Sequence, residues 1–325
     1  MTDQPRFNRR HLMLGAAALG TATALPMAPA GAAAPMQGTL RPGLYRFKLG
    51  AVEITAIHDG AIQLDGPHPI FGENVDAAAV AELAAANFLP AGRMEIGFTV
   101  TLVNTGDTLI LIDAGNGAAR RPNAGRLLTL LREVGVAPES VDIVAITHFH
   151  GDHIGGLMED GKPAFPNASY VIGQKEYDFW SDASLLANEQ MKGRAELVQA
   201  NVVPFAPKAR FIKGGDAVVS GIEAVESFGH TPGHLSYHIE SEGKRLMVAG
   251  DVANHYVMSL QRPDWHVRFD MDKANAVAAR KTIFGMIAAD RIPFIGYHMP
   301  APSVGYVEPL GEGFRYVAAS YQLNL

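Results

Sequence analysis

Four metal-binding side chains fall within six residues near the middle of this 325-residue chain. They follow the order His-x-His-x-Asp-His and are His148, His150, Asp152 and His153. An apolar run over residues 141–146 precedes them and predicts a buried strand. A strand that ends in such a cluster holds imidazole and carboxylate groups at one point in space, as a hydrolytic zinc site requires.

Ligand-type side chains also stand where three later strands are predicted to end. They are His230 after a strand at 222–227, Asp251 after a strand at 245–249, and His298 after a strand at 292–295. A catalytic zinc takes three protein ligands and keeps one position open, so seven ligands serve two metals if one carboxylate bridges them. We assign the first metal to His148, His150 and His230, the second metal to Asp152, His153 and His298, and the bridge to Asp251. Two divalent ions are expected, zinc first, although His and Asp ligands also accept Mn, Co or Fe.

The composition excludes several other kinds of site. The chain has no cysteine, which rules out disulfides, zinc–thiolate sites and cysteine nucleophiles. Its formal net charge of −6 gives no basic surface of the kind that binds nucleic acid. The hydrophobic content of 48% and the charged content of 18% are typical of a globular enzyme with a sizeable core. The expected partner is therefore a small-molecule substrate.

The first 34 residues predict an export signal rather than a part of the fold. Arg9-Arg10 precedes an Ala- and Gly-rich apolar run over residues 12–25, and small residues at 28–30 or 32–34 offer cleavage sites. We interpret residues 1–34 as a twin-arginine signal, with a disordered Ala-rich tail as the alternative. The apolar run is too short for a membrane anchor. The mature protein is therefore expected in the periplasm or outside the cell, without membrane attachment.

After residue 36 the chain shows no internal repeat and no low-complexity linker, which predicts one domain over residues 35–325. Loose alternation over residues 44–57 predicts a strand that turns at Asp59-Gly60. A hairpin is predicted over residues 98–112, helices are predicted over residues 125–134 and 274–289, and residues 175 to about 199 are predicted to be largely helical. The repeated order of strand, polar loop and helix indicates a mixed α/β fold.

The motifs resemble, in order along the chain, those of the metallo-β-lactamase superfamily. The matching stretches are His148-x-His150-x-Asp152-His153, Gly229-His230-Thr231-Pro232-Gly233-His234, Gly250-Asp251 and Tyr297-His298. Asp113 matches the first motif of that family, in which the carboxylate orients a metal ligand rather than binding metal. His234 either has a similar supporting role, contacts the substrate, or is structural in its turn.

Within the superfamily the chain is most similar to the methyl parathion hydrolase group, through residues 102–106, 174–180, 228–234 and 313–316. The resemblance implies a four-layer αββα sandwich of the α/β class, a dinuclear centre and a homodimer. It also implies that Trp180 lines the substrate pocket. The chain departs from the group at Arg120 and Arg121 and at Gln190-Met191, where aromatic residues would be expected. These departures weigh against an aryl-phosphotriester pocket, and Arg120 or Arg121 would instead hold a substrate carboxylate or polar head unless both are solvated.

The expected chemistry is metal-dependent hydrolysis, in which a hydroxide shared by two metals attacks a carbonyl carbon or a phosphorus atom. Asp251 and Asp152 are the candidate catalytic carboxylates. Carboxyl esters, lactones and organophosphate triesters fit this chemistry best, and β-lactams come third. The alternatives are an iron-dependent oxygen or sulfur redox enzyme and an inactive zinc-binding protein, and the complete ligand set argues against both. His255, four residues after Asp251, is a candidate for a place in the pocket.

Overall fold

The computed structural model describes residue 36, residues 40–319 and residues 323–325. The strands of these residues form two seven-stranded sheets and one two-stranded sheet. In spatial order the first sheet consists of β1 (Leu44–Leu49), β2 (Val52–Asp65), β3 (Arg93–Asn104), β4 (Leu109–Ile112), β5 (Ile143–Ala145), β8 (Ser169–Gly173) and β9 (Arg210–Ile212). The second consists of β10 (Ala217–Val219), β11 (Ile222–Glu226), β12 (Leu235–Ser241), β13 (Lys244–Gly250), β14 (Phe294–Gly296), β15 (Val304–Leu310) and β16 (Gly313–Ala318). The third pairs β6 (Met158–Glu159) with β7 (Lys162–Pro163).

Helices connect and cover the two large sheets. The α-helices are α1 (Ala77–Ala86), α2 (Leu127–Glu133), α3 (Gly151–Ile154), α4 (Gln174–Trp180), α5 (Lys192–Asn201), α6 (Met258–Gln261) and α7 (Lys273–Asp290). Short 3-10 helices span Ala118–Arg120, Pro138–Ser140, Gly155–Leu157, Ala183–Ala187 and Val203–Lys208. Within the described residues, none of the helices has the length and apolar content needed to cross a membrane.

Apolar side chains occupy both faces of the central strands, because each large sheet is covered on both sides. In β4, Ile110 and Ile112 lie in the core between the two sheets, whereas Leu111 lies in the core formed with α1, α2, α4 and α5. In β13, Leu246 faces the other sheet and Met247 packs in the core formed with α7. The layers are therefore helix, sheet, sheet and helix, which confirms the expected αββα sandwich.

The direction of the strands brings the predicted metal ligands to the same ends of the sheets. β4, β5 and β8 are parallel in the first sheet, and β13 and β14 are parallel in the second. β11 runs in the same direction as β13, because both are antiparallel to β12. The segments that follow β4, β5, β11, β13 and β14 carry Asp113, His148, His230, Asp251 and His298, respectively. Sites in α/β proteins form at the carboxyl ends of such strands.

The turn predicted at Asp59-Gly60 is wrong. β1 and β2 instead form an antiparallel hairpin that turns at Gly50 and Ala51, and β2 continues through residues 58–60 with an irregular register. Gly50 has a φ of +56°, and a Cβ atom there would lie 2.3 Å from the carbonyl oxygen of Ser241. Only glycine tolerates both this positive φ and this close approach, so the chain reverses at Gly50 and not at Asp59-Gly60.

Residues 175–199 are largely helical, as predicted, but the helical stretch is interrupted between α4 and α5. The side chain of Asp182 accepts a hydrogen bond from the backbone N–H of Ser184 at 2.8 Å. Asn188 Oδ1 accepts from the N–H groups of Gln190 and Met191 at 2.9 and 3.3 Å. Such side-chain acceptors satisfy backbone donors locally and compete with a regular helix.

The predicted export signal at residues 1–34 lies outside the described residues. Arg41–Leu325 form one compact unit. The predicted domain boundaries, with one domain over residues 35–325, stay a prediction.

Asp59 is a buried carboxylate that ties the segment after β4 to β2. It accepts hydrogen bonds from the backbone N–H groups of Asn116, Gly125 and Leu127 at 2.9, 3.0 and 2.7 Å. The side-chain amide of Asn116 donates another at 2.9 Å. This segment begins at Asp113, so Asp59 supports the neighbourhood of the candidate site.

We predict that Asp59→Ala lowers the free energy of unfolding by about 3 kcal/mol, because several buried donors lose their acceptor. Chemical denaturation followed by circular dichroism measures this change. Asp107→Ala, in the exposed turn between β3 and β4, is the matched control and is expected to change the value by less than about 0.5 kcal/mol. Equal stability of the two variants would contradict this role for Asp59.

Candidate metal centre

Seven ligand-type side chains converge at the carboxyl ends of these strands, in two adjacent groups. One group consists of His148, His150, His230 and Asp251, and the other consists of Asp152, His153, Asp251 and His298. Within each group the ligand atoms all lie within 4.8 Å of one another. The structure thus brings together the two sets that the sequence suggested, with Asp251 common to both.

In the first group three imidazole nitrogens face one oxygen of Asp251. His230 Nε2 lies 3.2 Å and His148 Nε2 lies 3.9 Å from Asp251 Oδ2. His150 turns its Nδ1 toward the group, 2.9 Å from His230 Nε2. Three nitrogens beside a carboxylate oxygen are a donor set that zinc accepts.

In the second group the same carboxylate meets two further histidines. His153 Nε2 lies 3.2 Å from Asp251 Oδ1, and His298 Nε2 lies 3.0 Å from Asp251 Oδ2. Asp152 Oδ2 is 3.6 Å from His153 Nε2 and 3.5 Å from His298 Nε2. Asp251 therefore contacts histidines of both groups, as a bridging carboxylate would.

The polar atoms at the centre fit two divalent metal ions. His148 Nε2, His153 Nε2 and Asp251 Oδ1 are buried and have no hydrogen-bond partner among the described residues. Buried polar atoms without partners cost free energy, and a metal ion in each group would satisfy them. Imidazole and carboxylate donors suit Zn²⁺ and related divalent ions.

The charges in the centre also favour a cation. Burial, followed by the proximity of other histidines, lowers the pKa of His148 and of His150 well below the usual histidine value. Burial would lower the pKa of His230 too, but hydrogen bonds to carboxylates outweigh it and raise that pKa to about 9. Burial would raise the pKa of Asp251, yet the charges of His298 and His153 hold it well below its usual value. The carboxylates therefore stabilise positive charge in a largely buried site.

Asp113 holds one of the ligands from behind. Its Oδ2 accepts a hydrogen bond from His153 Nδ1 at 2.8 Å, which leaves His153 Nε2 free to face the centre. Its Oδ1 accepts from the backbone N–H of Thr147 at 2.8 Å. The position agrees with the supporting role that the sequence suggested for Asp113.

Asp270 plays the corresponding part for His230, and the sequence analysis missed it. Asp270 Oδ1 accepts from His230 Nδ1 at 2.9 Å, and Asp270 Oδ2 accepts from the buried guanidinium of Arg280 at 2.8 Å. Burial would raise the pKa of Asp270, but its bond to His230 and the charge of Arg280 lower it. The residue follows no predicted strand, so no sequence pattern singled it out.

Glu176 is a second missed carboxylate. It is buried in α4, and its Oε1 accepts from the backbone N–H of Phe149 at 2.9 Å and from Trp180 Nε1 at 2.8 Å. Its Oε2 accepts from the backbone N–H of Gly233 at 2.9 Å. Glu176 thus joins the loop that carries His150 to the loop that carries His230. On a predicted helix a charged residue is usually solvated, which is why this one was overlooked.

The expected place of Trp180 in the substrate pocket is corrected by its burial. Trp180 is 0% exposed, and its ring packs edge-on against His150 with 6.5 Å between ring centroids. A fully buried ring cannot contact a substrate without moving. Trp180 therefore fixes the orientation of His150 from the core side.

His234 has a supporting place in the centre. Its Nε2 accepts a hydrogen bond from the backbone N–H of Asp251 at 3.0 Å, so its proton is on Nδ1, which donates to Ser227 Oγ at 2.8 Å. Burial lowers the pKa of His234 to about 3, which keeps the ring neutral. His234 thus positions Asp251 through its backbone.

Only one of the two neighbouring arginines is available to a substrate. Arg121 forms an ion pair with Glu159 at 2.8 Å. Arg120 is exposed, and its guanidinium lies over the ring of Phe98, 5.6 Å from the centroid. The Phe98 ring in turn meets His298 edge-on at 5.6 Å. Substrate contact by Arg120 stays a prediction, and its position near the second group is compatible with it.

A cavity of about 570 Å³ opens beside His298. Its lining combines apolar side chains with polar and charged ones, and it includes His255, which the sequence analysis had noted as a pocket candidate. The volume lies within the range of about 300–1,000 Å³ that is typical of small-molecule sites.

A sequence profile of the metallo-beta-lactamase superfamily matches residues 99–293, more than half of the chain. The chain belongs to this superfamily. It is similar to an N-acyl homoserine lactonase of Bacillus cereus, with 31% identity over 123 residues that cover 38% of this chain and 42% of the lactonase. A second N-acyl homoserine lactonase, from a Bacillus species, is 32% identical over 117 residues, 36% of this chain and 40% of that protein. The chain thus spans about two fifths of the length of these curated relatives.

Two solved structures resemble the whole domain. AidC, described as a dizinc quorum-quenching lactonase in complex with the product N-hexanoyl-L-homoserine, has a TM-score of 0.79 and 28% identity, covering 86% of this chain and 98% of AidC. The hydrolase AbOPH of the beta lactamase superfamily has a TM-score of 0.80 and 27% identity, covering 87% of this chain and 99% of AbOPH. Membership in the superfamily is thus confirmed, and the narrower methyl parathion hydrolase group stays a prediction.

We predict that Asp113→Asn and Asp270→Asn each weaken one group of ligands. Removing a carboxylate behind a metal-binding histidine typically costs about 10–100-fold in metal affinity. Asp113→Asn should weaken the group that contains His153, and Asp270→Asn the group that contains His230. Zinc titration against a competing chelator measures both affinities.

Asp264→Asn, an exposed carboxylate near Asp270 in sequence, is the matched control and should leave both zinc affinities unchanged. Circular dichroism shows whether each variant is folded before it is titrated. Folded Asp113→Asn and Asp270→Asn variants that bind two zinc ions like the wild type would refute the supporting role of these carboxylates.

Proposed function

We propose that this chain is a dinuclear metal-dependent hydrolase that opens lactone rings, and that N-acyl homoserine lactones are its first candidate substrates. The observation that carries the proposal is the pair of adjacent ligand groups that share Asp251. The similarity to AidC and to the Bacillus lactonases supports the choice of lactones. Carboxyl esters are the related class, because the same attack on a carbonyl carbon cleaves them.

Two divalent ions, once bound, would supply a hydroxide nucleophile near neutral pH and would polarise the oxygen of the scissile bond. The chain holds them through the two ligand groups, with zinc as the expected metal. Asp113 and Asp270 keep His153 and His230 in the tautomers that present Nε2 to the centre. His298 is held in the same way, because its Nδ1 donates to the backbone carbonyl of Gly97 at 2.8 Å.

Asp152 is the carboxylate that water and substrate reach most easily. Its side chain is 16% exposed, against 3% for Asp251. Tyr297 orients the segment, because its hydroxyl donates to the backbone carbonyl of Asp152 and its ring stacks on His153 at 3.7 Å. These observations support the proposal that Asp152 accepts a proton from the attacking water and returns it to the leaving alkoxide, while Asp251 fixes the geometry.

Other reactions receive less support. Organophosphate triester hydrolysis, expected from the resemblance to methyl parathion hydrolase, would use the same nucleophile. Because Trp180 is buried, however, it does not supply the aromatic side chain that was expected in the pocket for this reaction. β-Lactam hydrolysis comes after it. An iron-dependent redox enzyme with one metal would leave the second ligand group, which contains Asp152 and His298, without a metal to bind.

We further propose that the mature protein is a homodimer exported through the twin-arginine route to the periplasm or beyond. Arg9-Arg10 and the apolar run over residues 12–25 support export, and the resemblance to methyl parathion hydrolase supports the dimer. Cell fractionation of the wild type and of an Arg9→Lys, Arg10→Lys double variant tests the first, and sedimentation equilibrium tests the second. A cytoplasmic wild type or a monomer would refute the respective proposal.

We predict that the purified protein hydrolyses an N-acyl homoserine lactone with a higher kcat/KM than methyl parathion or a cephalosporin. Chelation should abolish this activity and zinc should restore it, because the nucleophile depends on the metals. Asp251→Ala should lose metal and activity together, down to the level of the chelated protein. Steady-state kinetics with parallel metal analysis measure each of these effects.

Asp264→Ala serves as the control for the loss of a carboxylate and should keep full activity and metal content. A folded Asp251→Ala variant that is depleted of metal and still active would refute the mechanism. A kcat/KM that is highest for methyl parathion would instead favour the organophosphate candidate.

A further inference from the structure

The cavity beside His298 is suited to an uncharged part of a substrate. Its apolar lining residues include Leu89, Pro90, Met94, Met258, Met299 and Pro300. Among the polar residues at the cavity, Arg41 forms an ion pair with Glu95, and Arg93 donates to the side-chain oxygen of Gln63 at 2.8 Å. An acyl or alkyl arm that packs against the apolar part of this lining would be buried from water.

His255 forms part of the cavity wall, and its ring is fixed in place. It is 8% exposed. The ring of Tyr256 stacks on it at 4.9 Å, and Phe71 packs edge-on at 5.5 Å. Nδ1 accepts hydrogen bonds from the backbone N–H groups of Val257 at 3.0 Å and Met258 at 3.2 Å. Because Nδ1 is an acceptor, the proton of the neutral ring is on Nε2.

The Nε2–H group of His255 is a donor without an acceptor among the residues that the structure describes. No hydrogen bond within the described residues uses it, and it is absent from the fully buried polar atoms that lack partners, so it reaches the cavity surface. Burial lowers the pKa of His255 to about 4, so the ring is neutral at pH 7. A neutral, rigid donor in an apolar wall is the kind of group that fixes the orientation of a ligand.

We propose that His255 donates a hydrogen bond from Nε2 to a carbonyl oxygen in the arm of the substrate that lies in this cavity. His255 would then select lactones that carry an acyl amide over lactones that carry a plain alkyl chain. The inference rests on the proposed lactone hydrolysis and adds a specificity-determining residue that binds no metal. Because this hydrogen bond contributes to substrate binding, its loss should change KM more than kcat.

Two substitutions separate this donor from the structural role of the ring. Asn at position 255 places a carbonyl oxygen near the position of Nδ1, where it can accept from the backbone, but it ends short of Nε2. Gln extends an amide N–H group toward the position of Nε2 and loses the acceptor at Nδ1. A purely structural His255 would be replaced better by Asn, and a substrate-binding His255 would be replaced better by Gln.

The test compares wild type, His255→Asn and His255→Gln on N-hexanoyl homoserine lactone and on a γ-alkyl lactone of similar length without an amide. His255→Asn should raise KM for the amide-bearing lactone about tenfold, the effect of losing one good hydrogen bond, with kcat and the plain lactone unchanged. His255→Gln should stay near the wild type. Calorimetric binding of N-hexanoyl-L-homoserine to the zinc-loaded protein should weaken in His255→Asn by the same factor.

The proposal would be overturned if His255→Asn affected both lactones equally. It would also be overturned if His255→Asn kept the wild-type KM for the amide-bearing lactone and the wild-type affinity for N-hexanoyl-L-homoserine. A wild type that hydrolyses neither lactone would refute the proposed function. In that case the binding of N-hexanoyl-L-homoserine still decides the role of His255, because it requires no turnover.

Discussion

The carboxylate of Asp251 is the group on which the arrangement of the whole centre depends. It is buried at the end of β13, and its two oxygens lie within 3.2 Å of histidines from both ligand groups. Those histidines come from loops of both large sheets. Packing of the sheets against each other therefore determines whether the ligands meet, and the core between them is as necessary to the centre as the ligands are.

A set of buried hydrogen bonds converts this approximate convergence into a fixed geometry. Asp113 and Asp270 orient one histidine in each group, and His234 holds the backbone of Asp251. Glu176 joins the loops that carry the first group. Burying carboxylates is costly unless they are fully paired, and each of these has donors within 3.0 Å. Their presence is best explained by the need to hold ligands still.

The sequence predicted the ligands because they cluster after strands and differ in type from their surroundings. The cluster from His148 to His153 is distinctive in the sequence. The number of ligands, seven, led to the expectation of two metals that share one carboxylate. The supporting residues were harder to predict. Asp270 becomes important only because the chain between β13 and α7 folds back onto His230, and Glu176 only because α4 buries this one charged side chain. Such roles depend on tertiary contacts that no local pattern encodes.

The fold was predicted through resemblance rather than through local patterns. Those patterns did not predict the interruption between α4 and α5, where short-range hydrogen bonds to Asn188 decide the path of the chain. They failed at the first turn, where close packing requires glycine at position 50. They succeeded for elements such as β13 and α7. Substrate contacts were the least predictable, since Trp180, which was expected in the pocket, is buried in the core, whereas His255, which was named as a pocket candidate, lines the cavity.

The central claim is that two metal ions share Asp251. The most direct test is a crystal structure of the zinc-loaded protein with anomalous data collected on both sides of the zinc edge. The account predicts two zinc peaks, one among His148, His150 and His230 and one among Asp152, His153 and His298, both in contact with Asp251. A single peak at full zinc saturation, or two peaks without Asp251 between them, would contradict it.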